Sequence, residues 1–110
     1  PVIIVTSTGR KTGAIRKTPL MKVVDGDNYV LVASQGGAPT HPVWYYNLIA
    51  NPEVQIRDGA NLYSMRATEI RDPQEKKRLW HRAVEAYPPY QAYQEMTPRS
   101  IPVFVVVMVS

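Results

Sequence analysis

Twelve residues near the start of the chain, TGRKTGAIRKTP from Thr8 to Pro19, concentrate its charge. Arg10, Lys11, Arg16 and Lys17 place four cations within eight residues, interleaved with Thr12 and Thr18. A guanidinium binds phosphate or carboxylate through a two-pronged, charge-assisted hydrogen bond, and an ammonium adds a point charge. Gly9 and Gly13 beside them allow main-chain N–H groups to approach the same anion. Charge alone fits both an anion site and an exposed basic hairpin.

Two further stretches have the residue types of a ligand site. In ASQGG, from Ala33 to Gly37, a glycine pair after an apolar run lets the main chain lie close to a planar ligand. Aromatic residues gather at Trp44, Tyr45 and Tyr46, and again at Tyr87, Tyr90 and Tyr93 within YPPYQAY. Phenols give a site flat apolar walls with polar tips, although core packing is the commoner use of such rings.

Other chemistry is missing. His41 and His81 stand 40 residues apart with no carboxylate at ligand spacing, so no metal site is expected. There is no cysteine, hence no disulfide, thiolate ligand or cysteine nucleophile. Neither a nucleophile elbow nor a Walker A loop is present. The nine carboxylates are scattered, with no evident acid–base pair. An enzyme built this way leaves the hard chemistry to a cofactor.

These residues need a frame, and 110 residues suffice for one domain, 1–110. Val2–Thr6, Arg16–Val24, Tyr29–Ala33, Val54–Arg57, Leu62–Ile70 and Ile101–Val109 read as strands. Turns are expected at Asp25–Asn28 and Asp58–Gly59. His41–Ala50 reads as a helix, and a second begins at Pro73 behind an Asp72 cap with Glu75 completing a capping box. Leu79, Trp80, Ala83, Val84 and Tyr87 give that helix a core face, leaving His81 toward solvent. Pro88–Pro89 argues against regular helix until beyond the tyrosines. The final strand is apolar on both faces, so it is central or at an oligomer interface. The order β-β-β-α-β-β-α-β points to a mainly β, α+β fold: a small antiparallel split barrel with helices packed outside.

Taken together, TSTGRKTGAIRKTPL, VASQGGAPTHPVWYYNLIANPEV and YPPYQAYQEMTPRSIPVFVV resemble the deazaflavin-dependent nitroreductases of actinobacteria. These are split β-barrel proteins, like the FMN-binding barrels, that use coenzyme F420, a hydride carrier with a phosphate and a polyglutamate tail. The resemblance implies that Arg10, Lys11, Thr12 and Arg16 hold phosphate and tail, with Lys17 and Thr18 beside them. It implies that Pro19, Leu20 and Met21, with Val32, Ala33, Ser34 and Gln35, line the deazaflavin. Val43, Trp44, Tyr45, Tyr46 and Asn47 would add cofactor contacts. Ser34, Tyr87, Tyr90 and Tyr93 would surround the acceptor, with Ser34 donating to its developing negative charge and Tyr90 also touching the coenzyme. The acceptor implied is a menaquinone-like quinone or a nitroaromatic.

Gln35 stands where the family commonly has lysine, and Met21 replaces an aromatic of nitroreducing members. The chain opens at Pro1 without the family's N-terminal helix, so a preceding segment is expected, with cytoplasmic residence and peripheral membrane contact through that segment. A homodimer is a further expectation from the apolar last strand. Three alternatives stand behind the reductase: an FMN-binding barrel, a carrier that binds the deazaflavin without turnover, and a nucleic-acid-binding module. FMN carries one phosphate, for which four cations are more than enough. The aromatics concentrate in helices and loops rather than on strands, which disfavours nucleic acid.

Overall fold

Burial alternates along β1 (Val2–Thr8): Ile3, Val5 and Ser7 are buried, and the residues between them are not. That period of two makes one face of the strand a core face. A computed structural model describes residues 1–109, and its other strands are β2 (Ile15–Met21), β3 (Val24–Asp25), β4 (Asn28–Val32), β5 (Glu53–Asp58), β6 (Asn61–Glu69) and β7 (Val103–Met108). They form one antiparallel sheet in the order β2-β1-β5-β6-β7-β4-β3.

The edges of that sheet are β2 and β3, yet only Lys22 and Val23 join them. Three Cα–Cα steps reach about 11 Å at most, whereas the edges of a flat seven-stranded sheet lie about 29 Å apart. The sheet therefore curls until its edges meet, making a barrel with a seam. At the seam the Lys22 N–H donates to the Pro1 carbonyl at 3.1 Å and the Val30 N–H to the Val23 carbonyl at 2.9 Å. Crossing it ends β2 at Met21, so the expected strand Arg16–Val24 is in fact two strands on opposite edges.

Ile3, Leu31, Ile56, Met65, Phe104 and Val106 fill the barrel, with Leu48 of α1 (Val43–Ala50) packed among them. The outer face of β4 and β7 forms a second core: Val30, Val32 and Val103 meet Leu79 and Ala83 of α2 (Pro73–Ala86) and Tyr90 of α3 (Pro89–Glu95). Cover on both faces explains why these two strands read as unbroken apolar runs. β7 is central, hydrogen-bonded to β6 and β4.

α2 starts at Pro73 as its sequence predicts, the Asp72 carboxylate accepting from the Glu75 N–H at 2.9 Å, but the Glu75 carboxylate accepts from Arg78 instead of closing the capping box. His81 is exposed. The region after it differs from expectation, because α3 begins at Pro89 and carries Tyr90 and Tyr93 within regular helix. Proline at a first helical position loses no hydrogen bond, since that N–H has no partner inside the helix.

Phe104 is fully buried, with its ring centroid 5.9 Å from that of Trp44 and 5.7 Å from that of Tyr45. Phe104→Ala is expected to cost about 3–5 kcal/mol in a urea unfolding titration. A loss under about 1 kcal/mol would contradict the packing described.

Candidate active site

A cleft of about 330 Å³ opens beside the barrel seam. The end of β2 contributes Pro19, Leu20 and Met21, and β4 contributes Val32. The following turn adds Ser34, Gln35 and Gly36, the start of α1 adds Pro42 and Trp44, and Tyr87, Tyr90 and Tyr93 close the far wall beside Val2. Four segments separated in sequence thus supply one apolar pocket with a few polar groups.

Ser34 lies at the turn from β4 toward α1. Its side chain forms no cap to the turn behind it, and it lines the cleft. Gln35, Gly36 and Gly37 all have positive φ, at 45°, 63° and 83°. Glycine is required at position 37, where a Cβ would stand 2.9 Å from the Tyr93 carbonyl oxygen and 3.1 Å from Met96 Cβ. The turn and α3 are therefore in main-chain contact.

Arg99 holds the turn from the other side. Its Nη2 donates to the Ser34 carbonyl at 2.7 Å, Nη1 to the Ala33 carbonyl at 3.2 Å, and Nε to the Ala38 carbonyl at 2.8 Å. Nη1 also lies 2.9 Å from His41 Nδ1. Burial, and then the Arg99 charge, push the His41 pKa below its ordinary value of 6.5. The imidazole is thus held neutral, with Nδ1 as acceptor.

The tyrosines pack edge to face. Tyr90 meets Tyr87 at a centroid distance of 5.0 Å and Tyr93 at 6.2 Å. The Tyr87 and Tyr93 hydroxyls are 3.2 Å apart. Burial pushes the Tyr90 pKa up to about 12, and the hydrogen bond with Tyr87 raises that of Tyr93. At neutral pH the Tyr90 and Tyr93 phenols keep their protons and are available as hydrogen-bond donors.

The basic turn lies at the far ends of β2 and α1 from the cleft. It is closed by Gly9 N–H to the Ala14 carbonyl at 2.7 Å and by Thr12 Oγ1 accepting from the Ala14 N–H at 3.2 Å. α1 grips it: Asn47 Oδ1 accepts from the Arg10 N–H at 3.0 Å, and Asn51 Nδ2 donates to the Thr8 carbonyl. The Arg10 guanidinium sits 5.1 Å from the Tyr46 ring centroid, a cation–π contact. Arg10, Lys11, Arg16 and Lys17 are exposed, and among the described residues none pairs with a carboxylate. Lys22, Arg66, Arg71, Arg78 and Arg82 all do.

Several expected cofactor residues lie outside this cleft. Val43 is 75% exposed and lines no part of the cleft, and Ala33 is wholly buried. Tyr45 packs on the barrel core and donates its hydroxyl to Glu69 at 2.8 Å. Strand alternation sends Lys17 to the outer barrel face beside Arg57, away from Arg16 and Thr18. Asn47 is buried with its carbonyl oxygen committed to the Arg10 N–H. Arg99 and Pro42 were not singled out as site residues from sequence, and Gly37, expected with Gly36 to lie against a planar ligand, instead lies against α3. The sign available for Arg99 was a lone cation just before a wholly apolar run.

A sequence profile of F420H(2)-dependent quinone reductases matches residues 1–108. The chain belongs to this family. An F420H(2)-dependent quinone reductase of Mycobacterium tuberculosis is 42% identical over 108 residues, spanning 96% of this chain and 72% of the relative. A solved F420-H2 dependent reductase is 47% identical with a TM-score of 0.89, over 96% of this chain and 93% of that one. A solved domain-swapped dimer is also 47% identical, with a TM-score of 0.91 over 96% and 79% of the two chains. A pyridoxamine 5'-phosphate oxidase structure from Listeria innocua, 13% identical with a TM-score of 0.67 over 99% and 84%, shares the split-barrel fold. The family's hydride donor is reduced coenzyme F420, and the site suits it: apolar walls for a planar ring, and unpaired cations for a string of anions.

Two measurements test this geometry. Gly37→Ala should cost about 1–3 kcal/mol from backbone strain alone, with overlap against Tyr93 adding to it; an unchanged urea midpoint would refute the contact. His41 takes up its proton less readily folded than unfolded, so stability should fall as pH drops below 6.5 toward the folded-state pKa. His41→Gln keeps an acceptor but does not titrate. The difference in unfolding free energy between the two proteins should therefore change between pH 7.5 and pH 5, and parallel curves would contradict the neutral imidazole.

Proposed function

We propose that the cleft binds the ring of reduced coenzyme F420 with a quinone beside it, and that the basic turn binds the coenzyme's phosphate and glutamates. The observation that carries this reading is the path of β2. One end of the strand lines an apolar cleft, and the other, bearing Arg16, follows a turn bearing Arg10 and Lys11; none of these three cations has a carboxylate partner among the described residues. Six residue steps of strand span about 20 Å, the reach required of a ligand with a flat head and an anionic tail. When bound, the reduced deazaflavin supplies the hydride.

The protein's share is positioning and polarisation. Leu20, Met21, Val32 and Trp44 exclude water from the ring face. Ser34 donates a hydrogen bond to the quinone oxygen on which negative charge develops, and stabilisation there lowers the barrier. Tyr87, Tyr90 and Tyr93 wall the acceptor and orient it with their hydroxyls. The proton that completes the hydroquinone comes from water rather than from Tyr90 or Tyr93, whose raised pKa values make them poor acids. Arg10, Lys11 and Arg16 hold the tail, and Lys17 on the other face adds long-range attraction. A nitroaromatic, a flat oxidant of similar size, is the second acceptor to assay.

Arg10→Ala with Lys11→Ala should weaken coenzyme binding at least about tenfold, more for long-tailed forms and less at high salt. Equal affinity in the double variant, followed by Trp44 and Trp80 fluorescence, would remove the tail assignment. Ser34→Ala should lower kcat for quinone reduction on the order of 10–100-fold while coenzyme affinity is retained. Loss of coenzyme binding instead would place Ser34 in the cofactor site alone. Binding without turnover of any acceptor would leave a carrier.

A further inference from the structure

The turn bearing Ser34 holds an unfavourable shape. Gln35, which is not glycine, sits at φ 45° between Ser34 and two further left-handed residues, a conformation that persists only when its surroundings enforce it. The Arg99 fork brackets this turn, bonding the Ala33 and Ser34 carbonyls before it and the Ala38 carbonyl after it. The Ala33 and Ser34 carbonyls belong to the two peptide planes that flank the Ser34 Cα, and both accept from Arg99, at 3.2 and 2.7 Å. Fixing two successive planes fixes the φ and ψ between them, and with these the direction of the Ser34 Cβ. Nε anchors the far side of the turn at the Ala38 carbonyl, and His41 Nδ1 completes the fork's contacts.

Arg99 is itself held from α3. Gln94 Nε2 donates to the Arg99 carbonyl at 2.8 Å, and Gln94 Oε1 accepts from the Ile101 N–H at 3.0 Å. The guanidinium thus links the Ser34 turn to the helix that carries Tyr90 and Tyr93.

We infer that Arg99 is a positioning residue for the reduction: it sets both peptide planes around Ser34 and so aims the serine hydroxyl at the acceptor. The inference rests on the reading of Ser34 as the acceptor's hydrogen-bond donor. Lysine keeps the charge, but a single ammonium cannot reproduce the planar fork.

A double-mutant cycle on quinone reduction decides it. Arg99→Lys should lower kcat about tenfold or more, leave the coenzyme Kd within about threefold, and cause less than a further twofold loss on top of Ser34→Ala. An equal kcat loss with Ser34 present or absent would show that Arg99 acts by another route. A change confined to coenzyme Kd would overturn the inference as well. If Ser34→Ala alone leaves kcat intact, it is the donor reading that fails, and the inference falls with it. Should Arg99→Lys not fold, His41→Leu removes one acceptor and leaves the three carbonyl bonds. Its kcat loss, about threefold, should likewise vanish when Ser34 is absent, and a loss that persists there would refute the proposal.

Discussion

Two residues of chain between opposite edges of a sheet determine the architecture. Because Lys22 and Val23 connect β2 to β3, the seven strands cannot lie flat, and the curl creates both an interior and a seam. The interior takes the first hydrophobic core, and the outer surface of β4 and β7 takes the second. Beside the seam, β2 has no sheet neighbour on its outer side. The cleft lies there, where a strand edge is available without dismantling a ladder.

The electrostatics divide along the same line. Away from the basic turn, most cations meet carboxylates: Arg78 forks onto Asp25 and Glu75 and holds both carboxyl groups below their usual range, and Lys22 pairs with Asp58 at 2.8 Å. Exposed pairs of this kind add little stability, but they use up charge that would otherwise attract anions. The turn is left as the concentrated positive surface, and the hydrogen bonds from Asn47 and Asn51 hold its backbone in place against α1. An anion arriving there meets groups whose main-chain ordering is already complete.

Much of this frame was legible in residue order. The apolar runs of β4 and β7 announced strands covered on both faces, and Asp72–Pro73 announced the start of α2. Most of the cleft-lining set was legible too, through a resemblance spread over most of the chain, although Val2 and Pro42 were not. The break at the seam was not, because Lys22–Val23–Val24 continues a strand-like pattern and only tertiary closure divides it. α3 was obscured by Pro88–Pro89, whose effect depends on where a helix begins. Lys17 was grouped with its neighbours by charge, although a period of two already separates it from Arg16. Arg99 gave little sign of its role, since its acceptors lie about 60 residues earlier and are main-chain atoms that no side-chain pattern encodes.

Gly37 leaves no slack between the serine turn and the tyrosine helix, and their main chains touch. The two jaws of the cleft are therefore set at a spacing that leaves no room for a side chain between their backbones. On the function proposed above, discrimination among acceptors falls to the side chains on that frame, chiefly Met21, Gln35 and the three tyrosine rings. A lineage can exchange those groups, and with them the preferred oxidant, without redrawing the backbone that holds them.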